Sequence, residues 1–477
     1  MATTLSLTDG TVTINLVDGT NYESRTDGFW TPESNRDYRW QSLAPHGAVL
    51  ASAHAEPRTI SIRFNILAAN MTAVDTRLKE IQRMLDTASL QSQRGWGTSV
   101  TLTYQKDGSA NATIFDVLTG RLILPSSYHS LVLSQFQILG VTLELDCKPF
   151  GRNSSESAAL AVTELRNRND AGGSNFVSTA AAGFPGDVRS PIRLMIKHTT
   201  AAVTSLGRVW VAIRSRGTVA NFSHTLDAQT VANGGDAVHS GNGETDTADA
   251  ACNNGYRVRI IAPNTTMMGH FTFAISSNVE DHFGTFRVLA RIRTDAAAVT
   301  DVKMQLRTGD NFAWVTTTKQ VNPTYVGSVW HLCDLGLVKF PPLTPPLTTP
   351  AGGQSQINIL FQAQMPDTAK FLDVDTFTLL PVDEGAMEIR SDAADTNNSL
   401  YVDAIGDWAG RELIYLVASD IQVRQAGSLL KTGRALWATP GRINRLYVIV
   451  SRAANNDVFN DTYDVSADVL SLFGMAQ

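Results

Sequence analysis

Hydrophobic and polar positions alternate along most of this chain. Segment 58–67 (RTISIRFNIL) puts Ile60, Ile62, Phe64 and Ile66 on one face and Thr59, Ser61, Arg63 and Asn65 on the other, the period of a half-buried strand. Val12, Ile14 and Leu16 alternate in the same way, punctuated by Asp9-Gly10, Asp18-Gly19 and Asp27-Gly28. Both residue types tolerate the positive φ of a type I′ turn, so the chain is predicted to open in hairpins. One segment departs from this period. Over 72–90, Val74, Leu78, Ile81 and Leu85 recur at helical spacing, with Thr72 placed to cap and Asp75 three residues on, as in a capping box. Such a helix would cover the apolar face of the first sheet. Alternation resumes at Val100, Leu102 and Tyr104, turns at Asp107-Gly108, and continues through 114–124 and 136–145. Residues 1–152 are therefore expected to form a β-barrel or sandwich with one inserted helix.

From 152 to 186 the composition shifts to Asn, Ser, Ala and Gly, which reads as a linker. Strands return at 192–197 and 208–216, so 153–225 is assigned as linker plus the first strands of an outer β-sandwich. Residues 217–256 contain no Lys or Arg, while Asp227, Asp236, Glu244, Asp246 and Asp249 lie among Gly, Asn and Thr. This stretch reads as an acidic surface excursion or an edge region with little core. About seven short strands without helices then argue for a jelly-roll-like insertion over 226–385, interrupted by a proline loop at 341–353. Residues 386–477 supply strands that complete the outer sandwich. Pairing of 187–216, with the insertion or with these last strands, stays open at this level. The fold class is mainly β.

With 477 residues the chain has room for two to four domains. Charged residues make up only 18%, which argues against disorder, and 35 Gly with 17 Pro suit a turn-rich β protein. The net charge of −6 without a basic tract argues against nucleic-acid or anionic-membrane partners. No apolar run approaches the ~18 residues of a membrane span, and the first residues lack the pattern of a secretory signal. Cys147, Cys252 and Cys333 stand far apart and form neither a zinc motif nor a disulfide framework. The expectation is a soluble chain made in a reducing cytoplasm.

Catalytic and cofactor motifs are absent from the sequence, so no enzyme activity and no cofactor are expected. His331 and Cys333 share a strand face about 7 Å apart, but a nucleophile or metal role needs a third partner; the preferred reading is a sheet-face His beside a core Cys. Asp373 and Asp375 also share a face. Paired carboxylates can hydrolyse sugars, yet carboxylates on the wet face of an amphipathic strand explain the spacing as well, and that reading is preferred. Calcium held by loop and strand carboxylates, with the 227–249 loop contributing, is the intermediate alternative, and a solvated loop is preferred over it. Trp314, Tyr325 and Trp330 are the candidate saccharide contacts, because flat rings stack on sugar faces. Alternation groups Trp314 with Phe312 and Trp330 with Leu332, which favours core over an exposed platform.

The N-terminal order carries a resemblance. Paired Asp-Gly hairpins, an R-x-I-x-I-x-F strand (Arg58, Ile60, Ile62, Phe64), a helix with LKEIQRML (78–85), a strand pair through Gly108 and a closing LELDCKPFG (143–151) resemble the belt domain of distal tail and related tail-tip proteins of long-tailed, non-contractile bacteriophages. GDVRSPIRLMIK (186–197), FLDVDTFTLLPVDEG (371–385) and LWATPGRINRLYVIV (436–450) are similar to the sandwich parts of such proteins, around a carbohydrate-module-like jelly roll. The resemblance implies a virion component assembled in the host cytoplasm. Its belt domains would form a ring, usually a hexamer, that continues the tail tube and docks the hub. The outer β domains would contact other tail proteins or host-surface saccharide. A saccharide-binding host-adhesion protein is the alternative. The charge-poor 217–255 stretch and the proline loop depart from the commonest form.

Overall fold

A computed structural model describes residues 3–24, 36–42, 48–95, 98–109, 111–126, 136–168, 173–179, 184–199, 206–216, 225–233, 235, 237–239, 244–261, 268–275, 284–294, 303–309, 315–320, 329–340, 357–364, 371–394, 398–408, 413–418, 421–423, 430–452 and 462–473. The chain is mainly β. In the N-terminal unit one antiparallel sheet runs Thr13–Asn15, Thr4–Thr8, Thr101–Gln105, Thr113–Ile123, Gln137–Cys147, Arg58–Leu67, Tyr22–Ser24. Both ends of that order come from the first 24 residues, so the sheet curls into a nearly closed barrel. The helix Met71–Gln93 packs on it through Val74, Ile81, Met84, Leu85 and Ala88. Gly120 permits this contact, since a Cβ there would lie 2.9 Å from Leu85 Cδ2 and 2.8 Å from the Glu144 carbonyl oxygen. Arg36–Ser42 and Ala48–Ala55 form a separate two-stranded ribbon.

Two local expectations change. The helix is capped by Asn70, not Thr72: the Asn70 side chain accepts from the Ala73 N–H at 2.9 Å, one residue pair earlier than the capping box would place it. The first turns are not type I′. Gly10 and Gly19 have positive φ, but Asp9 and Asp18 do not; their carboxylates instead accept backbone N–H bonds. Asp18 Oδ1 takes the N–H groups of Thr20, Asn21 and Tyr22 at 2.7–2.9 Å. Asp27-Gly28 lies outside the described residues.

The outer sandwich has two antiparallel sheets. One is ordered Ser157–Leu165, Tyr463–Val469, Ser190–His198, Asn398–Asp403, Ile414–Ala418, Ile421–Val423, and the other Phe176–Ser178, Ile443–Arg452, Leu206–Arg216, Ala386–Ala394, Leu430–Gly433. Thus the strands within 187–216 pair with strands after residue 386, not with the insertion. Their inner faces meet in one apolar cluster that includes Ile192, Leu194, Val209, Val211, Val448 and Val465. The supposed linker at 152–186 is partly strand. Ser157–Leu165 pairs with Tyr463–Val469 some three hundred residues away, and its small and largely exposed residues lie at the edge of that sheet.

Between Leu206–Arg216 and Ala386–Ala394 a second sandwich is inserted. One sheet runs Glu244–Ala248, Tyr256–Ile261, Phe371–Pro381, Gly284–Thr294, His331–Phe340, with Thr225–Asp227 also on Phe371–Pro381. The other runs Ala237–His239, Met268–Ile275, Ile357–Gln364, Lys303–Gly309, Val315–Gln320. Phe271 and Phe361 of one sheet meet Phe377, Val288 and Ile260 of the other in the core. The acidic stretch is not a solvated excursion. Asp227, Ala228, Gln229, Ala237, Cys252 and Asn253 are buried, and Asp246 accepts from Thr230 Oγ1 and Asn233 Nδ2, both at 2.6 Å. Burial alone would raise the Asp246 pKa, but these donors outweigh it and hold the carboxyl below its ordinary value. Among the described residues no helix is long and apolar enough to cross a membrane.

Candidate functional site

Three neighbouring strands of the inserted sandwich concentrate the charge. Tyr256–Ile261 carries Arg257 and Arg259, Gly284–Thr294 carries Arg291 and Arg293, and Phe371–Pro381 between them carries Asp373 and Asp375. Period two puts each pair on one face. Register then sets Asp373 opposite Arg259 on one side and Arg293 on the other. Its carboxylate accepts from Arg259 Nε at 2.8 Å and from Arg293 Nη2 at 2.8 Å, with Arg257 Nη1 at 3.4 Å. Asp375 accepts from Arg291 Nη1 at 2.5 Å and from the Asn253 backbone N–H at 2.9 Å. Asp249 pairs with Arg257 at 2.9 Å and Arg293 at 3.2 Å.

These carboxylates are not on a wet face, as the sequence suggested: Asp373 and Asp375 are both 0% exposed. The strand alternation hides the reason. A register shift between Ala290 and Ile292, opposite Phe377 and Val374, adds one residue to Phe371–Pro381 at this point. Without that bulge Phe377 and Leu379 would share the carboxylate face; with it they join Leu372 and Val374 in the core. The loop 249–255 then covers the charged face, held by Arg291 Nη1 on the Ala251 carbonyl at 2.9 Å and by Asn253 Nδ2 on Asp227 at 2.5 Å. Ionised carboxylates stay buried only where guanidinium and amide donors saturate them, as here.

Of the three candidate saccharide contacts, Trp314 and Tyr325 lie outside the described residues. Trp330 is 9% exposed, with Arg291 Cζ 4.4 Å and Arg293 Cζ 4.6 Å from its ring centroid. The ring is buried under guanidinium groups instead of being offered to solvent. His331 and Cys333 are buried, and Cys333 belongs to the core between the sheets. Burial pushes the Cys252 and Cys147 thiols well above their ordinary pKa, so neither is poised as a thiolate. No group of three or more His, Cys, Asp or Glu among the described residues is arranged to hold a metal ion. The arginines are what sequence reasoning missed. The signal was there, as R-x-R in YRVRIIA and ARIRT against D-x-D in LDVD, but only register shows that the three segments are neighbours.

Two clefts lie at junctions between units. One, of about 240 Å³, is lined by Trp210, Leu380, Met387, Arg287, Glu388 and Arg434, where the outer and inserted sandwiches meet. The other, of about 480 Å³, is lined by Asp116, Lys148, Arg152, Glu156, Trp408 and Leu470, between the N-terminal unit and the outer sandwich. Arg152 pairs with Asp116 at 3.0 Å, Arg287 with Glu388 at 2.6 Å, and Arg193 with Glu156 at 2.5 Å, so internal ion pairs occupy much of the charge in both.

No family model matches the sequence, and no curated protein matches it. Solved structures give faint likenesses. The SPP1 Dit (gp 19.1) protein, described as a paradigm of the hub adsorption apparatus in Gram-positive infecting phages, is 12% identical over 80% of this chain and 100% of its own, at a TM-score of 0.20. A chain of the phage P2 baseplate in its activated conformation with Ca is 8% identical over 79% of this chain and 98% of its own, at a TM-score of 0.22. An exo-β-1,3-galactanase from Phanerochaete chrysosporium is 10% identical over 60% of this chain and 79% of its own, at a TM-score of 0.18. Scores this low carry no argument about activity.

The charged face is therefore best described as internal cement. It has no solvent-facing carboxylate pair spaced around a groove, which glycoside hydrolysis requires. Its chemistry is to fix the 249–255 loop, through Asp249 and the loop backbone, over a sheet face that carries four arginines and two aspartates.

Proposed function

We propose that this chain is a structural, non-catalytic component of the tail tip of a long-tailed, non-contractile bacteriophage. Its N-terminal unit forms a ring of six that continues the tail tube toward the hub. Its outer and inserted sandwiches project outward to contact other tail proteins or the host surface, in a virion assembled in the host cytoplasm. The observation that carries this reading is the element order of the N-terminal unit. One hairpin within 4–15, the strand Tyr22–Ser24 on Arg58–Leu67, the helix Met71–Gln93, the strand pair about Gly108 and the strand Gln137–Cys147 follow the chain order on which the belt-domain resemblance rests, although the second Asp-Gly turn does not close a hairpin.

That unit also has a surface suited to a neighbour. Residues 122–141 contain no Asp, Glu, Lys or Arg. Within them Ile123, Leu124, Phe136 and Leu139 are exposed at the same end of two adjacent strands. Thr113–Ile123 stops pairing at Thr142, so among the described residues 137–141 are paired on one side, with Arg58–Leu67. Exposed apolar residues beside an open strand edge are an association surface, and ring contacts are heterologous contacts that close by rotation. The saccharide-binding alternative rests on Trp314 and Tyr325, since the Trp330 ring is buried against Arg291 and Arg293.

Negative-stain imaging of the purified full-length chain, with light scattering for mass, tests the proposal. Closed rings with six subunits are expected. Monomers alone, at every concentration imaged, would overturn it.

A further inference from the structure

Residues 470–473 do not end within the outer sandwich that the strand before them completes. They run on between that sandwich and the N-terminal unit. Leu472–Phe473 pairs with Gly151–Arg152 of the N-terminal unit, Gly151 opposite Phe473 and Arg152 opposite Leu472. The Asn153 N–H donates to the Ser471 carbonyl at 3.0 Å. On the other side, the Asp187 N–H donates to the Leu472 carbonyl at 3.2 Å, the Leu470 N–H to the Pro191 carbonyl at 3.2 Å, and the Leu472 N–H to Ser190 Oγ at 3.0 Å. Leu472 and Phe473 are buried. Leu472 and Leu470 pack in one apolar cluster with Phe150 from the N-terminal unit and Ile405, Val188, Trp408 and Trp437 from the sandwich.

Backbone at this joint comes too close for side chains. A Cβ on Gly151 would lie 2.4 Å from Thr113 Cγ2, and one on Gly186, at φ +139°, would lie 3.0 Å from the Leu472 carbonyl oxygen. A second tie crosses beside it. Lys148 donates to the Trp408 carbonyl, holds its Nζ 4.9 Å from that indole ring and pairs with Asp116 at 3.8 Å, while Phe150 stacks on Trp408 at 6.3 Å.

We infer that residues 470–473 are a strap that locks the N-terminal unit and the outer sandwich into one mechanically coupled body. A single covalent crossing at 152–157 would leave the sandwich free to swing, because one chain passage resists rotation poorly. The strap is a second crossing beside the first, bonded to both units, and it removes that freedom. A displacement of the outer sandwich, from whatever it contacts, is then transmitted to the N-terminal unit and not absorbed in a hinge. The coupling does not depend on ring formation and stands or falls separately from it.

Spin labels on the full-length chain test this. Cysteines introduced as Leu90→Cys on the helix and Val162→Cys on the sandwich edge replace exposed residues, and the native cysteines are buried. Pulsed dipolar measurements on the unaltered strap are expected to give one narrow distance distribution. Leu472→Asp is expected to broaden it about twofold or more, and Leu472→Ile to leave it narrow. A folded Leu472→Asp chain, judged by circular dichroism, that keeps the narrow distribution overturns the inference. Should that variant not fold, hydrogen exchange on the unsubstituted chain decides. Amides of Asn153, Asp187 and Leu472 exchanging within about tenfold of the Ile192 core amide support the strap, and exchange about a hundredfold faster or more overturns it.

Discussion

At the scale of single residues, Asp373 and Asp375 show how far environment governs a side chain. In the sequence they are two carboxylates on an amphipathic strand; in the fold they are saturated by Arg259, Arg291, Arg293 and the Asn253 N–H. Such buried ions are valuable mainly as sets, since removing one partner strands the other. Asp375→Ala, which takes the carboxylate from buried Arg291, is expected to destabilise the fold by about 3–5 kcal/mol in chemical denaturation. Glu144→Ala, at the exposed pair with Arg121, is expected to cost no more than about 1 kcal/mol. Equal effects for the two would mean that the charged face carries no more stability than a surface ion pair. Arg257, Arg259, Arg291 and Arg293 were legible as alternating arginines but not as partners, because partnership is a property of register.

At the scale of elements, the periodic segments were the readable ones. The helix is recognisable from Val74, Leu78, Ile81 and Leu85, and the strand Arg58–Leu67 from its strict alternation, because each buries one face against one neighbour. The turns at Asp9-Gly10 and Asp18-Gly19 fall where the sequence puts them but are typed wrongly, since Asx bonding stabilises them in place of paired positive φ, and only the first closes a hairpin. The Asp18 turn has a pH signature. Burial pushes its carboxyl up, but the N–H groups of Tyr22, Asn21 and Thr20 outweigh that and hold the pKa below the ordinary 3.8. A pKa depressed by folding stabilises in full above the ordinary value and is lost as pH falls through the lower, folded one. Asp18→Asn keeps the side-chain oxygen and does not titrate, so its melting temperature is expected to fall less between neutral pH and about pH 2 than that of the unsubstituted chain. Parallel curves would show that this carboxylate plays no part in acid sensitivity.

At the scale of the whole molecule, three β units are joined by apolar contacts as well as by chain. Trp210, Tyr447 and Ile449 of the outer sandwich pack with Leu289, Leu332 and Leu380 of the insertion, and the strap closes the junction with the N-terminal unit. Ile123, Leu124, Phe136 and Leu139 stay exposed at one end of the N-terminal unit. On the proposed ring, Phe136→Asp or Leu139→Asp is expected to leave only monomers in sedimentation, with unfolding of the monomer shifted by no more than about 0.5 kcal/mol because both side chains are exposed. Rings that survive both substitutions would move the contact elsewhere on the unit.

The sequence by itself determined the mainly β class, the helix Met71–Gln93 and the faces that most described strands bury, since these follow from local period and from composition. Tertiary structure alone decided what pairs with what. The Ala-rich segment Ser157–Leu165 becomes an edge strand only because Tyr463–Val469 lies beside it, and a bulge opposite Ala290 and Ile292 decides which way Asp375 and Phe377 face. Leu472–Phe473 ties to a unit closed more than three hundred residues earlier. Contacts across such separations leave no mark on local periodicity, because the free energy that selects them comes from surfaces meeting in space and not from neighbours along the chain.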